Sequence, residues 1–482
     1  MAETAVPKIT PSLVAGDPVD LSRVHFVGVG GTGMLPLARV CVGRGFAVSG
    51  SDAKPSAGLS ELERLGARVH VGHSAAQVPA DATAVVFTHA VAEDNPEIRA
   101  AHLRGIPLVH RSAALNVLMS GVTAIGVLGT HGKTSTAGML SVGLTRMEHA
   151  PTYVVGGELQ GPASGGRSGD GGFFVAEVDE SDRSHLGVRV DVAVITDIGH
   201  DHPECYAGEQ DHVQAYESFV RGMPSNGLVV LSTDAPAGQA LAARLAEADG
   251  GPRLVTVGTA SHATWRLTNA VSVGGSSTAM LHGPGGLEMS LKLRIPGVHQ
   301  LRNAAAAVAA VHALGLDHEL LVEQLGYFDG VARRMSMAGE AAGVRVYDSY
   351  AHHPAEVTAD LAAARTLLGE EGRVIAVFQP TGQARLDAFG AAYGTALAGC
   401  DQVVLTDSTG LLRQEALEVL SVQISRAGGT ARAVERDRAE AVVRAARAAR
   451  PGDVVVLIGT GDLVDHGSRL TAALSGLVQA AA

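Results

Sequence analysis

Two stretches of this chain share one grammar. "RVHFVGVGGTGMLPLARV" (Arg23–Val40) and "TAIGVLGTHGKTSTAGML" (Thr123–Leu140) each pass from a short apolar run through a glycine turn into a helix-patterned segment. A strand that leaves its sheet this way returns parallel, because parallel neighbours need a crossover. Further apolar runs of strand length follow: "FAVSGSD", "ARVHVG", "AVVFTHAV" and "PLVH", then "FFVAEVD", "VAVITDI", "GLVVLS" and "RLVTVG", then "VRVYDS", "RVIAVFQP", "QVVLTD" and "DVVVLIGTGD". Strands alternating with helices predict an α/β protein of parallel, doubly wound sheets.

Three such blocks follow one another. The expected division is a loose arm at 1–20, a Rossmann-like domain at 21–120, a central P-loop ATPase-type α/β domain at 121–331 and a Rossmann-like C-terminal domain at 332–482. Between Trp265 and Pro296 the pattern alternates and turns often, which predicts a small antiparallel addition. "HQLRNAAAAVAAVHALG" predicts an Ala-rich helix that stops before Gly315. "ASGGRSGDGG" (163–172) predicts a flexible loop.

Composition narrows the function. A net charge of −12 argues against a nucleic-acid partner bound through a basic face. No apolar run reaches the ~18–20 residues of a membrane span, and the N-terminus lacks a signal-peptide pattern. The three cysteines, Cys41, Cys205 and Cys400, have no zinc spacing, which fits reduced thiols in a cytoplasmic protein. Only four lysines occur, Lys8, Lys54, Lys133 and Lys292, so a lysine inside a glycine loop carries weight.

Gly28, Gly30 and Gly33 form G-x-G-x-x-G between strand and helix, with Asp52 at the end of the next strand. That pattern serves a dinucleotide, another phosphate-bearing ligand, or a packing turn. The second turn, "GTHGKTST", is one residue shorter in its lead than G-x-x-x-x-G-K-[ST]. Its backbone N–H groups suit phosphate oxygens, Lys133 their charge, and the Thr134 hydroxyl a Mg²⁺ ion. "VAEVDESD" crowds Glu177, Asp179, Glu180 and Asp182 at a strand end, where hard oxygens suit the same ion. Asp197, His200, Asp201 and His202 in "ITDIGHDHPE" offer metal ligands or orienting groups, as do Asp348, Tyr350, His352 and His353 in "YDSYAHHPAE". Arg333 and Arg334 are candidate phosphate clamps.

Taken in order, "GVGGTGM", "DNPE" (94–97), "HRS" (110–112), "GTHGKTST", "AEVDESD", Asp201–His202, Arg333–Arg334, "DSYAHHP", "FQP" and "GTGD" (459–462) resemble the Mur ligase family from about Val24 to Asp462. The resemblance implies an ATP-dependent, ADP-forming amide ligase of peptidoglycan synthesis. It joins an amino acid, L-alanine foremost, to the UDP-sugar acid UDP-N-acetylmuramate through an acyl phosphate. It also implies ATP and Mg²⁺ as cofactors and a monomer or homodimer. By that resemblance Gly28, Gly30, Gly33, Ser51, Asp52, His89 and Arg111 bind the UDP part of the substrate. Gly129, Thr130, His131, Gly132, Lys133, Thr134 and Ser135 bind ATP, with Thr134, Glu177 and His202 serving Mg²⁺. His299 and Asn303 lie near the adenine, and Arg334 contacts phosphate. Asp348, Tyr350, His352, His353 and Arg385 place the amino acid and close over ATP.

The segments "TDIGHDH" and "FQPTGQAR" depart from the family pattern, with Asp197 for asparagine, Gly199 for glutamate and Thr381 for histidine. A family paralogue acting on a different acid or amine is therefore a second reading. A nicotinamide-dependent oxidoreductase built on the first glycine turn and a non-catalytic nucleotide-binding protein are further ones.

Overall fold

The computed structural model describes residues 19–161, 164–247, 250–407, 410 and 412–481. Residues 1–18 of the expected arm lie outside the described residues. The chain divides into two compact units. The first comprises residues 1–198, 211–256 and 309–317, and the second residues 199–210, 257–308 and 318–482.

The first unit holds a sheet of β1 (Arg23–Val27), β2 (Ala47–Asp52), β3 (Arg68–Val71), β4 (Ala84–Phe87) and β5 (Leu108–His110). Its crossover helices are α1 (Met34–Gly43), α2 (Ala57–Arg64), α3 (Pro96–Leu103) and α4 (Arg111–Met119). The order β3-β2-β1-β4-β5 is parallel throughout. The winding reverses between β1 and β4, where open α/β sheets bind ligands beyond the strand ends. β1 stops at Val27 because Gly28 turns the chain at φ +79°. "DNPE" is a helix start: Asn95 accepts from the Glu97 and Ile98 N–H groups, and Pro96 takes the first turn.

A second sheet of this unit contains β6 (Thr123–Leu128), β7 (Thr152–Val154), β8 (Gly166–Arg167), β9 (Phe173–Glu177), β10 (Val192–Ile195), β11 (Leu228–Ser232) and β12 (Arg253–Gly258), in the order β12-β11-β10-β6-β9-β7-β8. Helices α5 (Lys133–Arg146), α6 (Glu209–Arg221) and α7 (Pro236–Ala246) belong to it. β6, β9 and β10 read as unbroken apolar runs because helices cover both faces of a parallel sheet. The glycine-rich stretch expected to be a loop contains β8, which pairs antiparallel with β7. A Cβ on Gly166 would lie 2.3 Å from the Pro36 carbonyl oxygen, so glycine there permits close backbone approach.

In the second unit, β13 (Trp265–Val273), β14 (Ser276–His282) and β15 (Glu288–Leu293) form the expected antiparallel addition. The Ala-rich segment becomes α8 (Val298–Ala313), and α9 (His318–Leu325) follows. The last sheet contains β16 (Arg334–Ala341), β17 (Val344–Ser349), β18 (Val374–Phe378), β19 (Gln402–Leu405), β20 (Ala431–Val434) and β21 (Val454–Ile458), in the order β16-β17-β21-β18-β19-β20. Its helices are α10 (Pro354–Arg365), α11 (Gln383–Leu397), α12 (Ala416–Arg426), α13 (Arg438–Ala448) and α14 (Gly467–Ala481). β18 and β21 are buried at every residue, and each large aliphatic side chain there contributes about 1.5–3 kcal/mol. β16 was not legible as a strand. It is an antiparallel edge with two register shifts, and Met335 sits at φ +53°, so its residues never alternate cleanly. Among the described residues no helix is long and apolar enough to cross a membrane.

Candidate active site

In the first unit, the loop after β6 enters α5 through Gly132, which caps the helix in the left-handed region at φ +81°. Gly132 has no side chain with which to cap the first turn, and a helix N-terminus of this kind suits an anion. Lys133 Nζ folds back to donate to the Gly129 carbonyl at 2.6 Å and to Glu180 Oε1 at 2.8 Å. Burial works to lower its pKa, but the Glu180 and Asp179 carboxylates outweigh this and raise it. The Thr134 hydroxyl donates to Glu177 Oε1 at 3.0 Å, and the Gly156 N–H holds Glu177 Oε2 at 2.6 Å. These two side chains meet because β9 pairs with β6 in parallel, placing their carboxyl ends side by side.

The far side of the loop is fixed by the end of β10. Thr130 N–H donates to the Asp197 carbonyl at 3.0 Å, and His131 Nδ1 lies 2.6 Å from Asp197 Oδ2. Ser135 is buried in the first turn of α5. Gly129 adopts φ +130°, and a Cβ there would lie 2.3 Å from Thr196 Oγ1 and 2.9 Å from Asp197 N. Gly129→Ala is therefore expected to displace the loop and to weaken nucleotide binding by at least tenfold, about 1.4 kcal/mol. Calorimetric titration with ATP checks this, and unchanged affinity would show that the loop does not hold the nucleotide.

The first glycine turn is closed by its neighbours. Gly28 N–H donates to the Ser51 carbonyl at 2.8 Å, and Gly30 N–H donates to Asp52 Oδ2 at 2.9 Å. Asp52 thus spends an oxygen that a nicotinamide-dinucleotide site would turn to ribose. The Ser51 side chain is fully buried, and its hydroxyl donates to Glu97 Oε2 at 2.5 Å, so it braces the turn from beneath. Gly33 faces Arg111, whose Nη1 would be 2.0 Å from an added Cβ. Arg111 Nη2 reaches Asp179 Oδ2 at 3.0 Å. Burial pushes the Asp179 carboxyl up, but Arg111 and Lys133 pull it down to about 2. A cleft lined by Gly33, Arg111, Glu177 and Asp179 runs along this wall. His89 stands apart from Gly33 and Arg111 in its bonding, with Nδ1 3.0 Å from Asp182 Oδ2.

The second unit gathers the remaining candidates. Arg385, in the first turn of α11, makes a two-pronged bond to Asp201, Nε to Oδ1 at 2.8 Å and Nη2 to Oδ2 at 2.9 Å. His202 follows at φ +51°, with Nδ1 3.5 Å from Arg385 Nη2. Arg334 lies over the Tyr350 ring at 5.1 Å and 3.7 Å from Glu356. Arg333 lies over the same ring at 4.6 Å and donates to the Gly459 and Gly461 carbonyls at 2.9 and 2.8 Å, pinning the "GTGD" loop. His353 caps α10 in a reciprocal capping box with Glu356 and reaches the His200 carbonyl at 3.1 Å. His352 Nδ1 lies 3.0 Å from the Tyr350 carbonyl, and burial lowers its pKa. Asp348 accepts from the Ser336 hydroxyl, and burial raises its pKa. His299 lies 3.7 Å from Asp360; burial lowers the imidazole to about 4 and raises the Asp360 carboxyl to about 7. Asn303 Nδ2 donates to Gln300 Oε1 at 3.2 Å, one turn along α8 from His299.

Glu97, His110, Gly156, Glu356 and Asp360 support these groups but were not singled out from the sequence. "DNPE" and "HRS" contained the first two, yet nothing local marks a glutamate as fully buried.

The family models for "Mur ligase family, catalytic domain", "Mur ligase middle domain" and "Mur ligase, glutamate ligase domain" match residues 23–123, 127–311 and 333–461. The chain is 41% identical to the UDP-N-acetylmuramate–L-alanine ligase of Streptomyces coelicolor, over 96% of this chain and 100% of that protein. It is 40% identical to the enzyme of the same name from Mycobacterium tuberculosis, over 95% and 96%. Among solved structures, UDP-N-acetylmuramate-alanine ligase from Thermotoga maritima superposes with a TM-score of 0.78 at 27% identity, covering 95% of this chain and 100% of that one. A MurF ligase from Thermotoga maritima in complex with ADP shares the fold, with a TM-score of 0.61 at 18% identity over 90% and 96%.

Proposed function

The chain belongs to the Mur ligase family, and from that premise we propose that it joins L-alanine to UDP-N-acetylmuramate in peptidoglycan synthesis, consuming ATP and forming ADP and phosphate. The observation that carries the chemistry is the Gly129–Gly132 turn with Lys133 behind it and Thr134 held against Glu177. Donated N–H groups, an ammonium and a hydroxyl–carboxylate oxygen pair fit a magnesium–triphosphate. Thr134 and Glu177 would hold Mg²⁺, which would supply charge neutralisation on the phosphates.

A carboxylate resists attack by an amine because its carbonyl carbon is electron-rich and its leaving group is poor. In the proposed reaction a carboxylate oxygen of the sugar acid attacks the terminal phosphorus of ATP. The bond to ADP breaks, and an acyl phosphate forms. The alanine amine then attacks the acyl carbon, loses a proton, and the carbon–oxygen bond to phosphate breaks. This chain's residues neutralise and position the reactants for both steps. Lys133 and the loop hold the triphosphate. Gly28, Gly30, Gly33, Arg111 and His89 hold the UDP moiety, with Ser51 and Asp52 bracing that turn. Asp348, Tyr350, His352, His353 and Arg385 place the amino acid. The three blocks at 21–120, 121–331 and 332–482 are read as the corresponding functional domains.

Thr381 favours a second reading, a paralogue with another acid or amine. It stands where the family pattern carries histidine, and its hydroxyl lies 3.5 Å from Thr460 Oγ1. Phosphate release tests both readings. Release that requires UDP-N-acetylmuramate and L-alanine together, with the amide product seen by mass spectrometry, is the expected result. Release driven only by another amine or acid overturns the alanine assignment.

A further inference from the structure

Three side chains from separate loops of the first unit converge. His89 lies beyond β4, His110 ends β5 and Asp182 lies beyond β9. His89 Nδ1 is 3.0 Å and His110 Nε2 is 3.2 Å from the same oxygen, Asp182 Oδ2. All three ligand-capable atoms lie within 4.8 Å of one another. Tetrahedral bonds of about 2.0–2.1 Å set ligands about 3.3 Å apart, so the spacing fits a metal of that size.

Each group is held from behind. Ser184 N–H donates to Asp182 Oδ1 at 2.9 Å, which leaves Oδ2 to the imidazoles. His110 Nδ1 lies 2.8 Å from Ser112 Oγ, and its ring meets Phe87 edge-on with centroids 5.8 Å apart. The same Nδ1 caps α4 by accepting the Ser112 backbone N–H at 3.3 Å, so ligation through Nε2 requires the ring proton to pass to Nδ1 and be donated to the Ser112 hydroxyl instead. His110 Nε2 is buried and makes no hydrogen bond. It is close enough to Asp182 for one but not aligned for it. A cation bound between this buried nitrogen and the carboxylate oxygen would take the place of the proton that now faces Asp182.

We propose that His89, His110 and Asp182 form a binding site for a divalent transition-metal ion of the zinc class, with water completing the coordination. Two imidazoles and one carboxylate suit zinc or cobalt, whereas the oxygen pair at Thr134 and Glu177 suits magnesium. The site is thus chemically distinct from the magnesium position proposed above and does not depend on it; it assigns His89 to the metal in place of the UDP contact read for that residue above.

Cobalt titration of the full chain tests the site. One equivalent of Co²⁺ is expected to give the visible absorption of a four-coordinate complex, which zinc abolishes and magnesium leaves in place. His89 is half-exposed (54%), so His89→Ala is expected to keep the fold while weakening Co²⁺ binding by about tenfold or more. Asp182→Asn is expected to do the same, and Glu177→Gln to leave the absorption unchanged. No visible band in the wild-type chain overturns the site. So does a band that persists at full affinity in both His89→Ala and Asp182→Asn, or one lost in Glu177→Gln.

Discussion

Replacing Lys133 by alanine is expected to lower ATP-dependent phosphate release by at least about 10²–10³-fold, the range for removing one preorganised charge-stabilising donor. Lys133 is the only lysine in the chain that follows a glycine phosphate turn, and its Nζ already bonds a loop carbonyl and Glu180. The substitution has a second effect. Glu180 is 1% exposed, so it loses its cationic partner in a place where water cannot replace it. A loss of activity alone could therefore reflect a loosened loop. The double variant Lys133→Ala/Glu180→Gln separates the two effects. It removes the stranded charge, so thermal stability is expected to recover while turnover stays low. Recovery of turnover in the double variant would falsify the role given to Lys133. Steady-state phosphate release and thermal unfolding of the three proteins make the comparison.

The second large effect is expected at Arg385. Its bond to Asp201 is two-pronged, and the Asp201 side chain is 3% exposed. Burial by itself raises the Asp201 carboxyl. The Arg385 hydrogen bonds and charge outweigh that and hold it well below the usual carboxylate range. Arg385→Ala leaves the carboxylate buried without its partner, which costs about 3–5 kcal/mol. Arg385→Lys keeps the charge but not the fork and should fall between the two. The pH dependence has a definite sign. A depressed folded-state pKa stabilises the wild type above the unfolded value of about 3.9, and this stabilisation is lost as pH falls below it. In Arg385→Ala the raised carboxyl is easily protonated, so the variant recovers relative to wild type in acid. Urea unfolding of both proteins at pH 7 and near pH 3.5 should show the gap shrinking. A gap that is equal at both values would mean that the ion pair does not account for the loss.

Much of the fold was readable because its signals are local. Gly28 and Gly132 must turn at positive φ, and the apolar runs of β6, β18 and β21 reflect sheets covered on both faces. The antiparallel addition and α8 announced themselves through periodicity. β16 and β20 did not, since edge strands have one partner and a weaker pattern. β8 was hidden because its glycines serve close backbone approach, which in sequence looks the same as a loop.

The candidate site divides along the same line. The chain alone determined that a phosphate turn bears Lys133 and Thr134 and that carboxylates cluster at the next strand end, because both are matters of spacing within a few residues. Only the tertiary structure decided which carboxylate meets which donor. Glu180 takes Lys133, Asp179 takes Arg111, and Glu177 takes Thr134. It likewise separated Arg333, which pins the "GTGD" loop, from Arg334, which faces Glu356, although both guanidiniums lie over Tyr350. It also bonded Asp201 to an arginine 184 positions away. Charge pairing depends on distance and burial, and burial is set by residues far apart in the chain. A sequence can therefore state which charges exist in a segment, while the packed structure assigns their partners.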